Sequence, residues 1–256
     1  MRKDDFFIVK PFNTMFMIMM SFFAALLIVP SILLAHTPLE VRKTVLMVIA
    51  IFNLLLFVVY KYFLARDKEY SDIYADTGGF NLWGELPLQL CNINMIFVPL
   101  ALATRNIDLM SFAFFVGPLG AFMAVAMPCR GFEKYSIKLP RMLGFYGNHF
   151  LIIVECLALA TFRIYRPWFL DVPRVVVTLL IVSFIIFLFN MFLRKTGLHP
   201  RANYFYNIET DGNPVLDLFW KWIPYPFLYQ LPCMVVLAVY VVVVMFVYGL
   251  LSGIIR

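Results

Sequence analysis

Charged side chains are scarce in this sequence of 256 residues, since Asp, Glu, Lys and Arg together make up only 14% of it. Soluble globular proteins carry about 25% charged residues, so an ordinary soluble domain is excluded. Hydrophobic residues make up 63% of the chain, and the mean hydropathy is +0.87. This composition predicts an all-α polytopic membrane protein that forms a single transmembrane domain over residues 1–256.

Paired cysteines are also lacking, because the four cysteines are scattered and none belongs to a Cys-x-x-Cys motif. They are Cys91, Cys129, Cys156 and Cys233. This spacing argues against a disulfide scaffold and against a zinc knuckle. No three of the histidines and cysteines have the spacing of metal ligands, so we predict neither a metal site nor a cofactor.

Dense basic clusters are absent as well, although the net charge is +6. Binding along a nucleic-acid backbone requires many closely placed Lys and Arg side chains. A dispersed positive charge instead favours contact with the anionic inner leaflet of a membrane. We therefore expect no nucleic-acid partner.

Long apolar runs are abundant, and a run of about 20 residues is long enough to span a membrane as a helix. They predict a bundle of seven transmembrane helices at about residues 14–36, 44–65, 83–104, 109–129, 142–165, 173–193 and 227–252. The sequence Gly117-Pro118-Leu119-Gly120 predicts a break at the centre of the fourth helix, of a kind that neighbouring helices accommodate.

The distribution of Lys and Arg predicts the orientation of the chain. With seven spans, 14 of these residues fall on the side of the N-terminus and 7 on the opposite side. The more positive side of a membrane protein usually faces the cytoplasm. We therefore predict a multi-pass protein of the cell membrane, with its N-terminus in the cytoplasm and its C-terminus outside.

Two of the predicted spans contain clusters of polar side chains. These are Gln89, Cys91, Asn92 and Asn94 in the third span, and Asn148 and His149 in the fifth. Polar groups in hydrocarbon are costly unless they pair with one another or serve a function. Both clusters are therefore candidates for a functional site.

Cys91 and His149 occupy similar positions in two predicted spans that run parallel. Cys91 is eight residues into the third span, and His149 is seven residues into the fifth. At ~1.5 Å per residue, both lie roughly 10–12 Å below their helix starts. A thiol becomes a good nucleophile when a neighbouring imidazole removes its proton. We therefore predict Cys91 and His149 as a catalytic pair, at a depth that glycerolipid esters can reach.

The amides near this predicted pair have two interpretations. Asn94 shares a helical face with Cys91, and Asn92 and Asn148 flank the pair in sequence. A side-chain amide N–H can hold the oxyanion of a tetrahedral intermediate. Alternatively, such amides bond neighbouring helices together. With both possibilities open, the predicted substrate-binding residues include these three asparagines and Gln89.

Two carboxylates complete the set of candidates. Glu85 lies at the cytoplasmic edge of the third span, where a salt bridge with Lys61 is a sufficient structural explanation. Glu155 lies near the middle of the membrane on the same face as Asn148, and it is a further predicted substrate-binding residue. A lone intramembrane carboxylate is typical of a proton or ion site, or is kept neutral, and it favours a transporter over an enzyme.

Three sequence elements resemble a known family. They are Leu86-Pro-Leu-Gln-Leu-Cys-Asn-Ile-Asn-Met95, Gly147-Asn-His149 and Ala202-Asn-Tyr-Phe205 before Pro214. In their order and separation, over roughly residues 40–250, the chain resembles the YwaF family of integral membrane proteins, related to transmembrane protein 164 of eukaryotes. The resemblance implies an acyltransferase that moves fatty acyl chains onto lysophospholipids, with Cys91 and His149 as its reactive pair.

Two functional hypotheses follow. In the first, Cys91 is activated by His149 and attacks an acyl ester of a membrane phospholipid, and a lysophospholipid or water resolves the thioester. In the second, the protein is a transporter or a membrane-embedded binding protein, and Glu155 lines a polar intramembrane cavity. The first predicts a membrane phospholipid or lysophospholipid as the partner, and the second predicts a small molecule.

Overall fold

The chain folds into helices joined by short connections, and the computed structural model describes residues 5–75, 79–128, 132 and 135–254. Within this part of the chain the extended contacts amount to an isolated bridge between Ile8 and Ser136, without a strand. The α-helices of the described ranges are α1 (Thr14–Leu33), α2 (Leu39–Leu64), α3 (Lys68–Ile73), α4 (Asn94–Thr104), α5 (Ile107–Ala126), α6 (Pro140–Thr161), α7 (Asp171–Thr196), α8 (Pro214–Trp222) and α9 (Leu231–Ile254). The predicted all-α polytopic fold is confirmed.

Six helices of the described residues are long and apolar enough to cross a membrane, namely α1, α2, α5, α6, α7 and α9. They coincide with six of the seven predicted spans. The predicted break in the fourth span is wrong, because α5 continues through Pro118. A proline removes one backbone donor from a helix, and packing against neighbouring helices accommodates that loss inside a membrane.

The third predicted span, residues 83–104, is helical over a shorter range than expected. Only Asn94–Thr104 is α-helical, while Leu82–Gly84 forms a 3₁₀ turn and residues 85–93 form bends and turns. Pro87 has no backbone N–H and restricts Leu86 to extended conformations, which opposes a helix here. Polar side chains such as Asn92 also offer the backbone alternative hydrogen bonds, which favour turns.

This broken segment nevertheless runs the length of α2. Glu85 forms a salt bridge with Lys61 near the C-terminal end of α2, with an Nζ–Oε2 distance of 2.5 Å. Arg105 lies within electrostatic range of Glu40, in the first turn of α2. The 11 residues of α4 cover only about 16 Å at ~1.5 Å per residue. The third predicted crossing therefore consists of a non-helical half followed by a helical half.

Contacts divide the chain into two compact units, of which the first comprises residues up to Pro87 and Cys91–Arg166. Helix α6 is its centre, since α6 packs against α1, α2, α4 and α5 and is almost entirely buried. Gly144 of α6 faces the Tyr60 ring of α2, and a Cβ atom at Gly144 would overlap that ring. A glycine is therefore required for the close approach of these two helices.

Buried charge fixes the first turn of α6. The guanidinium of Arg141 is fully buried and binds Asp67 at 2.7 Å and Glu69 at 2.8 Å, just beyond the end of α2. Helices α2 and α6 are therefore antiparallel. At the far end of α6, the hydroxyls of Thr161 and Ser31 are 2.9 Å apart, so α1 runs parallel to α6.

The second unit comprises Leu88–Leu90 and the residues from Pro167 onward. Helices α7 and α9 pack together, and the connection between them contains a 3₁₀ turn (Tyr204–Tyr206) and the short helix α8. Phe205, Tyr206 and Asp211 have positive φ angles of 59°, 55° and 49°. Such conformations are strained for residues with a side chain, so this connection needs specific support.

Candidate functional site

Cys91 lies in a turn formed by residues 91–93, directly before α4. The Asn94 side chain donates from Nδ2 to the carbonyl oxygen of Cys91 at 3.1 Å. Gly120 of α5 faces the same backbone, and a Cβ atom at Gly120 would lie 3.4 Å from the Cys91 Cα atom. The expectation that Cys91 lies inside a helix is therefore wrong, and the equal-depth argument built on helical positions no longer applies. The Cys91 side chain is partly exposed.

His149 is buried in α6, and its Nδ1 atom is 2.7 Å from the carbonyl oxygen of Phe145. Because a carbonyl oxygen only accepts hydrogen bonds, this contact places the imidazole proton on Nδ1. Nε2 is then the basic nitrogen of the ring. The Phe145 ring packs on the imidazole with 4.5 Å between centroids.

The elements that carry these two residues meet at Asn148. Its Nδ2 atom lies 3.9 Å from the sulfur of Met95, in the first turn of α4. Met95 follows Cys91 by four residues, and Asn148 directly precedes His149. Residues that lie near the two predicted catalytic residues in the sequence are thus in contact, with Gly120 of α5 facing the Cys91 backbone and Lys61 within electrostatic range of His149.

Glu85 is held by two partners, and the predicted Lys61–Glu85 salt bridge is confirmed. Besides Lys61, the hydroxyl of Tyr70 donates to Glu85 Oε1 at 2.8 Å. Burial and the adjacent carboxylate raise the pKa of the Tyr70 phenol well above its ordinary value, so it stays a donor. The Tyr70 ring contacts Phe132, which stacks on Phe145 at 4.4 Å between centroids. One network therefore connects the start of the broken crossing with the ring that supports His149.

A fully buried group, which we call the amide–carboxyl cluster, consists of Asn53 of α2 with Asn148 and Glu155 of α6. Asn148 Nδ2 donates to the backbone oxygen of Asn53 at 3.0 Å and to its Oδ1 at 2.8 Å. The Asn53 side chain also acts on the Glu155 carboxyl group. Four buried atoms of the cluster make no normal hydrogen bond, namely Asn53 Nδ2, Asn148 Oδ1 and both carboxyl oxygens of Glu155.

Asn53 was not among the residues that the sequence singled out. It is the one amide between Thr44 and Tyr60 in the apolar run of α2, and this isolation is the signal that identifies it. The bonds from Asn148 to Asn53 join α6 to α2, and that of Asn94 closes the turn at Cys91. Asn148 thus bonds two neighbouring helices, which is the structural alternative that the sequence left open, whereas Asn94 bonds within its own segment.

Gly117 of α5 packs closely against Cys156, the residue that follows Glu155. A Cβ atom at Gly117 would overlap the Cys156 sulfur and would lie 3.3 Å from Cγ of Asn94. Gly117 therefore permits α4, α5 and α6 to meet at this level. The Oδ1 atom of Asn92 is also buried without a hydrogen bond.

Gln89 belongs to the second unit, whereas the other predicted substrate-binding residues belong to the first. Its Oε1 atom accepts the backbone N–H of Phe205 at 3.3 Å. In this contact the side chain supports the strained connection between α7 and α8.

The same connection is supported by what we call the second-unit cluster, four buried side chains on α7, on the connection and before α9. They are Ser183, Asn190, Asn207 and Gln230. Asn190 accepts the N–H of Tyr204 at 3.0 Å and donates to its carbonyl oxygen at 2.8 Å. Asn207 donates to the Ser183 backbone at 2.8 Å, and Gln230 donates to the carbonyl oxygens of Phe205 and Tyr206.

Metal and redox chemistry have few candidate residues. Within the described ranges, no group of three His, Cys, Asp or Glu side chains is placed to hold a metal ion. Cys91, Cys156 and Cys233 are thiols and not disulfides. Cys129 lies outside the described residues.

Comparison with known proteins gives a family match. The model of the TMEM164 family matches residues 9–248 of this chain. No curated protein and no solved structure matches it. The match confirms the relation to transmembrane protein 164 that the three sequence elements predict, and it covers both compact units. This chain of apolar helices, with polar side chains buried among them, therefore belongs to the TMEM164 family.

Proposed function

We propose that the protein is a membrane-embedded acyltransferase that transfers fatty acyl chains between phospholipids through a thioester on Cys91. The observation that supports this proposal is the contact of Asn148 with Met95, because Asn148 directly precedes His149 and Met95 follows Cys91 by four residues. The resemblance to acyltransferases of the family supports it. The partly exposed thiol before α4 is also accessible to a reactant, whereas Cys156 is fully buried.

In the first half-reaction, Nε2 of His149 takes the thiol proton of Cys91, and the thiolate attacks the acyl carbonyl carbon of a phospholipid. The partial positive charge at the N-terminus of α4, three residues beyond Cys91, favours negative charge there. The ester C–O bond then breaks, and the lysophospholipid oxygen takes the proton back from His149. The products are an acyl thioester on Cys91 and a lysophospholipid.

In the second half-reaction, His149 removes the proton from a hydroxyl group of another lysophospholipid. The resulting oxygen attacks the thioester, the C–S bond breaks, and the thiolate of Cys91 regains the proton from His149. Apolar surroundings exclude water, which favours transfer over hydrolysis.

Geometry within the first unit supports one orientation for this chemistry. The backbone N–H of Ile137 donates to the oxygen of Phe7 at 2.8 Å, and Arg141 binds Asp67. The N-terminal segment, the end of α2 and the start of α6 therefore share one end of the unit. The excess of Lys and Arg on this side favours placing it in the cytoplasm, so that Cys91 acts on the cytoplasmic leaflet of the cell membrane.

Capture of the acyl thioester tests the proposal. Protein in lipid bilayers is incubated with a phospholipid that carries a clickable acyl chain, and covalent label is measured before and after hydroxylamine. We expect hydroxylamine-sensitive label on the wild type, none on Cys91→Ser, and a loss of roughly 10²-fold or more in rate with His149→Ala, because general-base catalysis typically contributes that much. Cys233→Ser is the matched control, since Cys233 is also partly exposed. Equal sensitive label on Cys91→Ser and the wild type would rule the proposal out.

The amide–carboxyl cluster favours a second candidate function, a membrane-embedded binding protein or transporter for a small molecule. Glu155 is fully buried in α6, and its carboxyl oxygens make no normal hydrogen bond. Helix packing alone does not require a carboxyl group at this position. In transporters such groups line the substrate path near the middle of the membrane. Uptake into proteoliposomes that Glu155→Gln leaves unchanged would exclude this candidate.

A further inference from the structure

The amide–carboxyl cluster is rich in hydrogen-bond acceptors and poor in donors. Of its four atoms without a normal hydrogen bond, three are oxygens and only Asn53 Nδ2 is a donor. Buried polar atoms are nearly always paired in folded proteins, so each exception requires an explanation. Here the exceptions are concentrated where Asn53 of α2 packs against α6.

Charge is unbalanced at the same place. Among the described residues, Glu155 belongs to no ion pair, and Lys61 of α2 is paired with Glu85 instead. An ionised carboxylate without a counter-charge is very costly in a membrane interior. Since the part of the chain that the structure describes brings no cation to Glu155, we infer that a compensating positive charge comes from a bound proton or ion.

The other titratable groups near Glu155 are few. On its own helix they are Cys156 and His149, while α1 and α4 contain no titratable side chain, and that of α5, Asp108, lies in its first turn. Along α2, the ionisable residues occupy the two end regions, away from Asn53 at its middle. The protonation of Glu155 is therefore not set by the ion-paired network of Lys61, Glu85 and Tyr70.

We propose that Asn53, Asn148 and Glu155 form an exchangeable binding site for a monovalent cation in the interior of the first unit. The cation is either a proton, carried by the Glu155 carboxyl group, or an alkali-metal ion held by carboxylate and amide oxygens. Oxygen ligands of this kind suit hard cations. The site deepens the second candidate function by naming the class of its ligand, and it does not depend on acyl transfer by Cys91.

Binding is tested with purified protein in lipid nanodiscs, without any assay of activity. Thermal unfolding is measured in sodium chloride and in N-methylglucamine chloride at equal ionic strength, and the infrared band of protonated carboxylic acids is followed through a pH titration. The variants are Glu155→Gln and, as a matched control, Asp171→Asn. Asp171 is a buried carboxylate with its own partners, the N–H of Trp168 and the guanidinium of Arg174.

An alkali-metal site predicts that sodium raises the melting temperature of the wild type by several degrees and of Asp171→Asn equally, but not of Glu155→Gln. A proton site predicts no sodium effect and a titrating carboxylic band that only Glu155→Gln lacks. If Glu155→Gln does not fold, Asn148→Leu replaces it. Loss of the amide oxygen should weaken sodium binding at least tenfold or shift the titration of the band.

A wild type that shows neither a sodium effect nor a titrating band assigned to Glu155 would overturn the proposal. These results are independent of the thioester experiment, because a lost acyl label concerns Cys91 and His149 alone. If the wild type binds the cation but transports nothing, the second candidate function is rejected and the binding site is kept.

Discussion

The two units of this protein each bury a cluster of amides, and the two clusters differ in how completely they are paired. In the second-unit cluster, Asn190 bonds both backbone groups of Tyr204, and Gln230 bonds two further carbonyl oxygens. In the amide–carboxyl cluster of the first unit, four atoms make no normal hydrogen bond. The clusters are alike in burial and differ in what surrounds them.

The surroundings explain the difference. The second-unit cluster lies against an irregular connection in which Phe205 and Tyr206 have positive φ, and the N–H of Tyr204 and the carbonyl oxygens of Phe205 and Tyr206 lack α-helical partners. Side-chain amides replace those partners, which is how irregular backbone is accommodated inside membrane proteins. Asn53 and Glu155 lie instead in regular helices whose backbone groups bond within the helix. The carboxyl group of Glu155 is therefore not needed to pair the backbone, so it points to binding.

Among substitutions in the two clusters, we expect the largest change in the free energy of unfolding at Asn190. The change Asn190→Leu removes both bonds to Tyr204 and leaves a strained turn without its anchor. We expect a loss of about 2–4 kcal/mol in the free energy of unfolding, since each buried group that loses its partner costs about 1–3 kcal/mol. Equilibrium unfolding in mixed micelles measures it. Asn190→Asp is the control, because it keeps an acceptor for the Tyr204 N–H and should lose less.

Much of the fold could be predicted from the sequence, because long apolar runs determine transmembrane helices. Six spans are where the apolar runs place them. The third span could not be predicted as it is, since its composition is apolar enough for a helix. Pro87 and the hydrogen bond from Asn94 to the Cys91 carbonyl oxygen oppose a helix there. A hydropathy profile records neither of these two effects.

The candidate site was predictable to a smaller extent. His149, Asn148 and Glu155 lie buried on α6, in keeping with the polar positions of the fifth span. Asn53 was missed, because its isolation in an apolar run is its one signal in the sequence, and the approach of α6 is what shows its significance. The assignment of Gln89 to the second unit was also not predictable, because its partner Phe205 is distant in sequence.

A smaller effect is expected at Tyr70, a paired group of the first unit outside its membrane-spanning helices. The change Tyr70→Phe removes the hydrogen bond to Glu85 and should lower the free energy of unfolding by about 1.5 kcal/mol, since the acceptor is charged. The pKa of Tyr70 is raised in the folded protein, so this contribution should be constant below about pH 10 and decline above it. Unfolding of both proteins across pH measures the difference. A difference that grows above pH 10 would contradict the assigned hydrogen bond.

The smallest effect has the opposite sign, and it concerns Glu155. The change Glu155→Leu replaces an unpaired carboxyl group by an apolar side chain of similar size, so it should stabilise the protein by about 1 kcal/mol in sodium-free buffer at high pH. The reason is that the carboxyl oxygens of Glu155 make no normal hydrogen bond whose loss must be compensated, unlike the amide of Asn190. Thermal unfolding in nanodiscs measures the change, with Glu155→Gln as the control that keeps the polar volume. A loss of stability as large as that of Asn190→Leu would show that Glu155 is paired in the folded protein, and the distinction between a cluster for folding and a cluster for binding would disappear.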